Sequence, residues 1–68
     1  MQKRLLDNRE VILEFTQFGQ FVKVSAMDVK TLTEISISGP SSTPQPLLEQ
    51  NALKRLNYVL KKKGIIRE

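Results

Sequence analysis

Two segments near the start of the chain, residues 10–18 and 21–28, alternate apolar and polar side chains with a period of two. This alternation is typical of β-strands that bury one face. Only Gly19 and Gln20 separate the segments, and glycine in the first position of a two-residue loop favours a type II′ turn because that position needs a positive φ. The pattern therefore predicts a tight β-hairpin.

The short loop also predicts the register of the hairpin, since each residue of one strand then has a single partner on the other. The predicted partners are Phe18 with Phe21, Thr16 with Lys23, Glu14 with Ser25 and Ile12 with Met27 on one face, Phe15 with Val24 and Leu13 with Ala26 on the other, and, for a third strand over residues 33–38, Ile35 with Ala26 and Ile37 with Val24. Three strands then share one apolar face.

The spacing of apolar residues changes to that of a helix after the third strand. Gly39 and Pro40 are predicted to end that strand because proline has no amide hydrogen to donate to a β-ladder. Residues 41–46 form a linker rich in serine and proline, and residues 47–63 then carry one apolar stripe at helical spacing. The stripe consists of Leu48, Ala52, Leu53, Leu56, Val59 and Leu60.

The two ends of this helix carry signals of their own. Thr43 is predicted to be the N-cap, because a hydroxyl there can accept a hydrogen bond from an amide of the first turn. Glu49 suits the positive N-terminal end of the helix dipole, and the lysines at 61–63 suit the negative end. Gly64 is predicted to stop the helix.

These elements predict an α+β fold in which a three-stranded antiparallel β-meander is followed by one C-terminal amphipathic helix that packs on one sheet face (β-β-β-α). The predicted domain covers residues 10–64. Residues 1–9 are predicted to form an N-terminal tail or a short helical turn, with Leu5 and Leu6 as its apolar anchors. Residues 65–68 are predicted to form a C-terminal tail.

Composition narrows the classes of function. With 40% hydrophobic and 26% charged residues, a chain of 68 residues has the make-up of one small folded domain. It contains neither cysteine nor histidine, so disulfide bonds are excluded, and the usual zinc ligands and the commonest proton-transfer group are missing. We therefore expect no enzyme activity, no metal and no cofactor.

Charge and hydropathy bear on partners and location. Eleven lysines and arginines against seven acidic residues give a net charge of +4, which favours an anionic partner without deciding it. No apolar run approaches the roughly 20 residues that cross a bilayer, and residues 1–9 lack the apolar core of a signal peptide. The expectation is a bacterial cytoplasmic protein that does not bind membranes.

The first candidate site is the sheet face opposite the helix, which a chain of this size has little left to cover. Ile12, Phe18, Phe21 and Met27 lie there among polar side chains, and an exposed apolar patch with a polar rim often marks an interface. This pattern indicates a protein interface, with a homodimer as one form of it. In the alternative interpretation, Phe18 and Phe21 only stabilise the turn as a cross-strand pair, and the N-terminal segment partly shields the other two.

The second candidate site is the outer face of the helix, where Lys54, Arg55, Tyr58, Lys61 and Lys62 lie. Cations of this kind contact phosphates and an aromatic ring stacks on a base when a protein binds single-stranded nucleic acid. The affinity of such binding falls steeply with rising salt. The ordinary alternative is a solvated helix face whose lysines complement the helix dipole.

Three phrases of the sequence resemble a family of very small, uncharacterised alphaproteobacterial proteins, a domain of unknown function. They read E-V-I-L-E-F-T-Q-F-G-Q-F-V-K-V-S-A-M-D at 10–28, T-E-I-S-I-S-G-P at 33–40 and N-A-L-K-R-L-N-Y-V-L at 51–60. The resemblance implies no established activity. The sequence thus predicts a small binding or structural module that acts through protein contacts, and it leaves the partner, the process and the oligomeric state open.

One turn departs from the pattern of that family. The family's turn after the second predicted strand reads Asp-Pro-x-Thr-Gly, where this chain has Asp28-Val29-Lys30-Thr31-Leu32. A residue other than glycine costs roughly 1 kcal/mol at a positive φ, so either this turn has changed type or it carries strain.

Overall fold

In the computed structural model, which describes residues 2–6 and 8–66, four strands form one antiparallel sheet and a helix follows them. The elements are β1 (Gln2–Leu6), β2 (Arg9–Phe18), β3 (Phe21–Asp28), β4 (Glu34–Pro40) and α1 (Gln45–Lys62). The strands lie in the sheet in chain order, each antiparallel to its neighbour. The predicted α+β class with one C-terminal helix is confirmed.

The predicted register of the hairpin is also confirmed. Phe18 lies opposite Phe21 and Ile12 lies opposite Met27, with the pairs between them as expected. The residues of β4 lie opposite β3 as predicted too, with Ile37 facing Val24. Gly19 has a φ of +57°, the positive value that the predicted turn requires.

The third predicted strand is longer than expected. Residues 33–38 were predicted, whereas β4 runs from Glu34 to Pro40 and places Pro40 opposite Phe21. The strand does end at Pro40, but Gly39 and Pro40 are its last two residues rather than lying beyond it, because β4 is an edge strand of the sheet and a proline there need not donate to a neighbour.

The sheet has four strands rather than three, because Gln2–Leu6 form β1 beside β2 instead of a tail or a helical turn. The residue pattern of 2–6 gives little sign of this strand. Leu5 is 74% exposed, so burial of its side chain does not hold the strand in place. Backbone pairing with β2 holds the strand, and Arg4 forms an ion pair with Glu49 of the helix. The predictions that fall on Met1 and Asp7 lie outside the described residues.

The helix begins at Gln45, and Thr43 is not its N-cap. Pro44 occupies that position, no side chain caps the helix, and the amide of Thr43 instead donates to the carbonyl of Pro40 at 3.0 Å. The chain therefore turns before the helix and Pro44 enters it with an extended ψ of 136°. Glu49 lies beyond the first turn, where it pairs with Arg4 rather than with the helix dipole.

The predicted stop at Gly64 is confirmed. Gly64 has a φ of +75°, its amide donates to the carbonyl of Lys61 at 3.0 Å, and the amide of Ile65 donates to the carbonyl of Leu60 at 2.9 Å. These two hydrogen bonds form a Schellman motif. Ile65 and its neighbour Ile66 then pack against the core, while Arg67 and Glu68 lie outside the described residues.

The core lies between one face of the sheet and the helix. Its buried side chains are Val11, Leu13, Val24, Ala26, Leu48, Ala52, Leu56 and Leu60, which include four of the six predicted stripe residues; the other two, Leu53 and Val59, are half-buried. The strand residues among them all point to the same side of the sheet, as the period of two predicts. Within the described residues, no helix has both the length and the apolar character that crossing a bilayer requires.

Candidate functional site

The sheet face that points away from the helix, called the open face below, carries the predicted protein interface. Phe18 and Phe21 lie directly opposite each other at the hairpin end, and each is 59% exposed. Ile12 and Met27 form a second opposite pair and are half-buried. The structure therefore places all four predicted residues on one face, with the two rings at one end and the aliphatic pair toward the other.

A shallow recess of about 250 Å³ surrounds the aliphatic pair. Its lining residues are Ile12, Glu14, Ser25, Met27 and Glu34. The recess combines apolar side chains with two carboxylates, and its shape could not be predicted from the pattern of residues. Six residue steps of strand lead from Ile12 to Phe18, so the recess and the rings lie roughly 20 Å apart on the same face.

The described residues of β1 do not cover the open face. β1 extends the sheet sideways, with Lys3 opposite Ile12, and therefore borders the recess without lying over it. Lys3 forms an exposed ion pair with Glu10 at 3.3 Å. In the described part of the chain, Glu14, Glu34 and Lys23 belong to none of the ion pairs, so the open face carries charges of both signs that are free to meet a partner.

The helix outer face gathers the residues that the nucleic-acid hypothesis needs. Lys54, Arg55, Tyr58 and Lys62 are exposed and Lys61 is half-buried, and residues 50–66 contain five cations and no acidic residue. The guanidinium of Arg55 lies 5.5 Å from the centre of the Tyr58 ring and the ammonium of Lys62 lies 5.9 Å from it. A base that stacked on Tyr58 would compete with these two cations.

Sequence reasoning missed a buried polar cluster around Asp28. Arg9 donates from Nε to Oδ1 at 3.0 Å and from Nη2 to Oδ2 at 2.9 Å, and Thr31 donates from its amide at 3.1 Å and its hydroxyl at 2.6 Å, both to Oδ2. The sequence contained a sign that Asp28 is buried, because Asp28 continues the alternation that buries Val24 and Ala26. A carboxylate in that register must be buried and therefore needs partners.

The hydrogen-bond partners of Asp28 hold its carboxylate in the ionised form. The hydrogen bond from Arg9 is the largest cause that lowers the pKa of Asp28 from 3.8 to about 2, with further hydrogen bonds from Thr31 and against the opposing effect of burial. A carboxylate with so low a pKa and four donors is a poor proton acceptor. Across residues 2–6 and 8–66, no three acidic side chains lie close enough together to hold a metal ion.

The turn between β3 and β4 keeps the left-handed residue expected from the family pattern, and it therefore carries strain. Leu32 has a φ of +60°, its amide donates to the carbonyl of Asp28 at 2.7 Å, and its side chain is 69% exposed. Burial of the Leu32 side chain therefore does little to offset the free-energy cost of the positive φ.

Replacing Leu32 by Gly should stabilise the protein by roughly 1 kcal/mol, because glycine adopts this φ without a steric penalty. The gain is measured as a higher urea midpoint with an unchanged slope. Leu47→Gly is the opposite control, since the same change in an ordinary helical position should destabilise by about 1 kcal/mol. A Leu32→Gly variant that is less stable than the wild type would contradict the strain.

A larger recess of about 510 Å³ lies between the hairpin and the start of the helix. Its lining residues are Phe15, Gln17, Val22, Ser41, Thr43, Gln45 and Leu48. None of these side chains ionises near neutral pH, so the recess offers no acid or base for catalysis.

The fold and the open face define a small α+β module with an apolar and charged sheet surface left uncovered by the described chain. The chain belongs to the family described as domain of unknown function DUF6898, whose model matches residues 8–63. The match confirms the resemblance to an uncharacterised family, while the alphaproteobacterial origin stays a prediction; β1 precedes the matched range. Searches of curated proteins and of solved structures returned no significant match.

Proposed function

We propose that the protein is a binding module that acts through protein contacts, and that its partner is a second copy of itself held across the open face. The observation that carries this proposal is the pair of rings. Phe18 and Phe21 lie side by side, each 59% exposed, on the same face as the half-buried Ile12 and Met27. Single exposed apolar residues are ordinary, whereas two adjacent exposed rings with polar side chains beside them are typical of interfaces.

The rings supply enough apolar area to matter. Burying the exposed part of one phenylalanine removes roughly 100 Å² from water, which is worth about 2–3 kcal/mol. A symmetric dimer contains four such rings, and their combined burial offsets a large part of the roughly 4–15 kcal/mol that association costs. The open faces of the two copies together thus supply a large part of the driving force that a dimer requires.

Size and charge favour a second copy over another kind of partner. The two longest extents of the molecule are 36 and 20 Å, so a dimer must use nearly a whole face to reach the roughly 800 Å² that each partner of a standard interface buries. The face carries Glu14 and Glu34 as well as Lys23, and a surface with both signs can complement itself. A domain of 68 residues also gains stability from association, because its own core is small.

The proposal predicts that Phe21→Ser weakens self-association more than about 100-fold, because a twofold interface loses the ring twice. Sedimentation equilibrium over a wide concentration range measures the dissociation constant, and the wild-type Tm should rise with concentration while that of Phe21→Ser stays flat. Tyr58→Ser is the matched control, since it removes a 50% exposed ring from the helix and should leave the dimer unchanged. A wild-type protein that sediments as a monomer at millimolar concentration refutes the proposal.

The nucleic-acid hypothesis has weaker support and stays a prediction. The five cations of residues 50–66 provide phosphate contacts, but Arg55 and Lys62 already lie over the ring that would stack on a base. The charge of this face is equally well explained as a solvated surface with lysines at the negative end of the helix dipole.

A further inference from the structure

We infer that two copies pack with their open faces together and their strands antiparallel, so that Phe18 and Phe21 of each copy enter the recess at Ile12 and Met27 of the other. This inference rests on the proposed homodimer and adds its geometry. It also assigns Lys23 of each copy a place beside Glu14 of the other copy.

Two copies that pack through their open faces have only a few possible relative orientations. In the aligned class of sheet packing, two sheets keep their mean strand directions within about 30° of each other, so the strands of the two copies run either parallel or antiparallel. In both cases a twofold axis lies between the sheets and each surface meets a copy of itself. The distribution of features along the strands distinguishes the two arrangements.

The two ends of the open face differ in shape. The exposed rings lie at the hairpin end of the face and the recess lies about 20 Å away, toward the other end. An antiparallel arrangement brings each pair of rings over the partner's recess. A parallel arrangement places rings on rings and leaves the two recesses facing each other unfilled, which forfeits dispersion contacts.

The charges on the open face also favour the antiparallel arrangement. Directly opposite residues form rows across the sheet, and the midpoint between the Phe18 row and the Ile12 row falls at the Phe15 row. A twofold axis at that midpoint lays the row of Glu14 against the row of Lys23, twice in each dimer. In the described chain neither side chain has an ion-pair partner within its own copy.

The parallel arrangement makes a different charge pattern. It preserves the rows and reverses the order of the strands, so that Glu34 of one copy faces Lys3 of the other, and Lys3 already pairs with Glu10. The two arrangements therefore predict different interacting pairs, and each pair can be tested by exchanging its charges.

The spin-label experiment measures the orientation directly. The chain has no cysteine, so Gln20→Cys places one nitroxide at the hairpin turn of each copy, and every dipolar coupling is then between copies. The antiparallel dimer separates the two labels by about 30 Å, because nine residue steps of strand lie between the two turns. The parallel dimer brings the labels within roughly 20 Å, given sheets about 10 Å apart.

Charge exchange provides the second readout. Glu14→Lys and Lys23→Glu should each weaken the dimer roughly tenfold, and the combined variant should restore most of the wild-type dissociation constant. Lys54→Glu, on the helix, is the matched control for the change in net charge and should have little effect. Glu34→Lys combined with Lys3→Glu tests the parallel pairing in the same way.

The outcomes separate the two proposals. A label distance near 30 Å with rescue in the Glu14 and Lys23 exchange supports the inference. A dimer with a short label distance, or without that rescue, overturns the antiparallel geometry and leaves the homodimer standing. A labelled protein that shows no coupling and sediments as a monomer overturns both.

Discussion

Replacing Leu56 by Ala is expected to destabilise the protein by about 3 kcal/mol, which is a large fraction of the whole for a domain of this size. Leu56 is completely buried between the helix and the sheet. Truncating a buried leucine removes its transfer energy and leaves a cavity, and the combined cost is about 2–5 kcal/mol. A domain of 68 residues has a free energy of unfolding of roughly 3–10 kcal/mol, so the variant is expected to lose about a third or more of that stability.

Urea unfolding followed by circular dichroism checks this prediction. The matched control is Leu47→Ala in the same helix, where the side chain is 46% exposed and the substitution should change stability by no more than about 0.5 kcal/mol. Both variants should be measured at two protein concentrations, because dimerisation adds a concentration-dependent term. Equal stabilities for the two variants would show that the helix does not pack on the sheet through this stripe.

The hairpin could be predicted from the sequence because its determinants are local. The alternation of residues 10–18 and 21–28 identifies the buried face, and a two-residue loop leaves a single register. Gly19 then supplies the positive φ. The helix stripe was equally accessible, since Leu48, Ala52, Leu56 and Leu60 recur at intervals of four residues.

The missed elements depend on partners that are remote in the sequence. β1 has almost no apolar signature, and backbone pairing with β2 together with the Arg4 and Glu49 ion pair hold it. Pro40 remains in β4 only because that strand lies at the edge of the sheet, which depends on the sheet order. Thr43 is a good N-cap residue by type, but its amide is used in the preceding turn.

Part of the candidate site could likewise be predicted from local sequence, and part depends on residues that are remote in the sequence. The register predicts that Phe18, Phe21, Ile12 and Met27 share one face, and pairing alone suffices for that conclusion. The recess also requires Glu34 from β4, whose start was predicted at residue 33, one residue too early. The ring of Tyr58 was correctly placed among cations, but its contacts with Arg55 and Lys62 depend on side-chain conformations that spacing does not determine.

The buried cluster at Asp28 should be the part of the fold most sensitive to acid. Arg9 and Thr31 hold the pKa of Asp28 at about 2, below the ordinary value of 3.8. Because the pKa is lowered in the folded state, the stabilisation is fully present above pH 3.8 and is lost as the pH falls through about 2. The difference between the two pKa values corresponds to roughly 2 kcal/mol at neutral pH.

Asp28→Asn should therefore destabilise the protein by about 3 kcal/mol at pH 7, because it leaves the half-buried Arg9 guanidinium without a counter-charge and turns an amide donor toward other donors. Urea midpoints measured from pH 2 to 7 should fall steeply for the wild type at the acid end and much less for the variant. Glu34→Gln, a carboxylate on the exposed surface, is the control and should keep the wild-type profile. If Asp28→Asn retains both the neutral stability and the acid sensitivity of the wild type, then another carboxylate must be the source of that sensitivity.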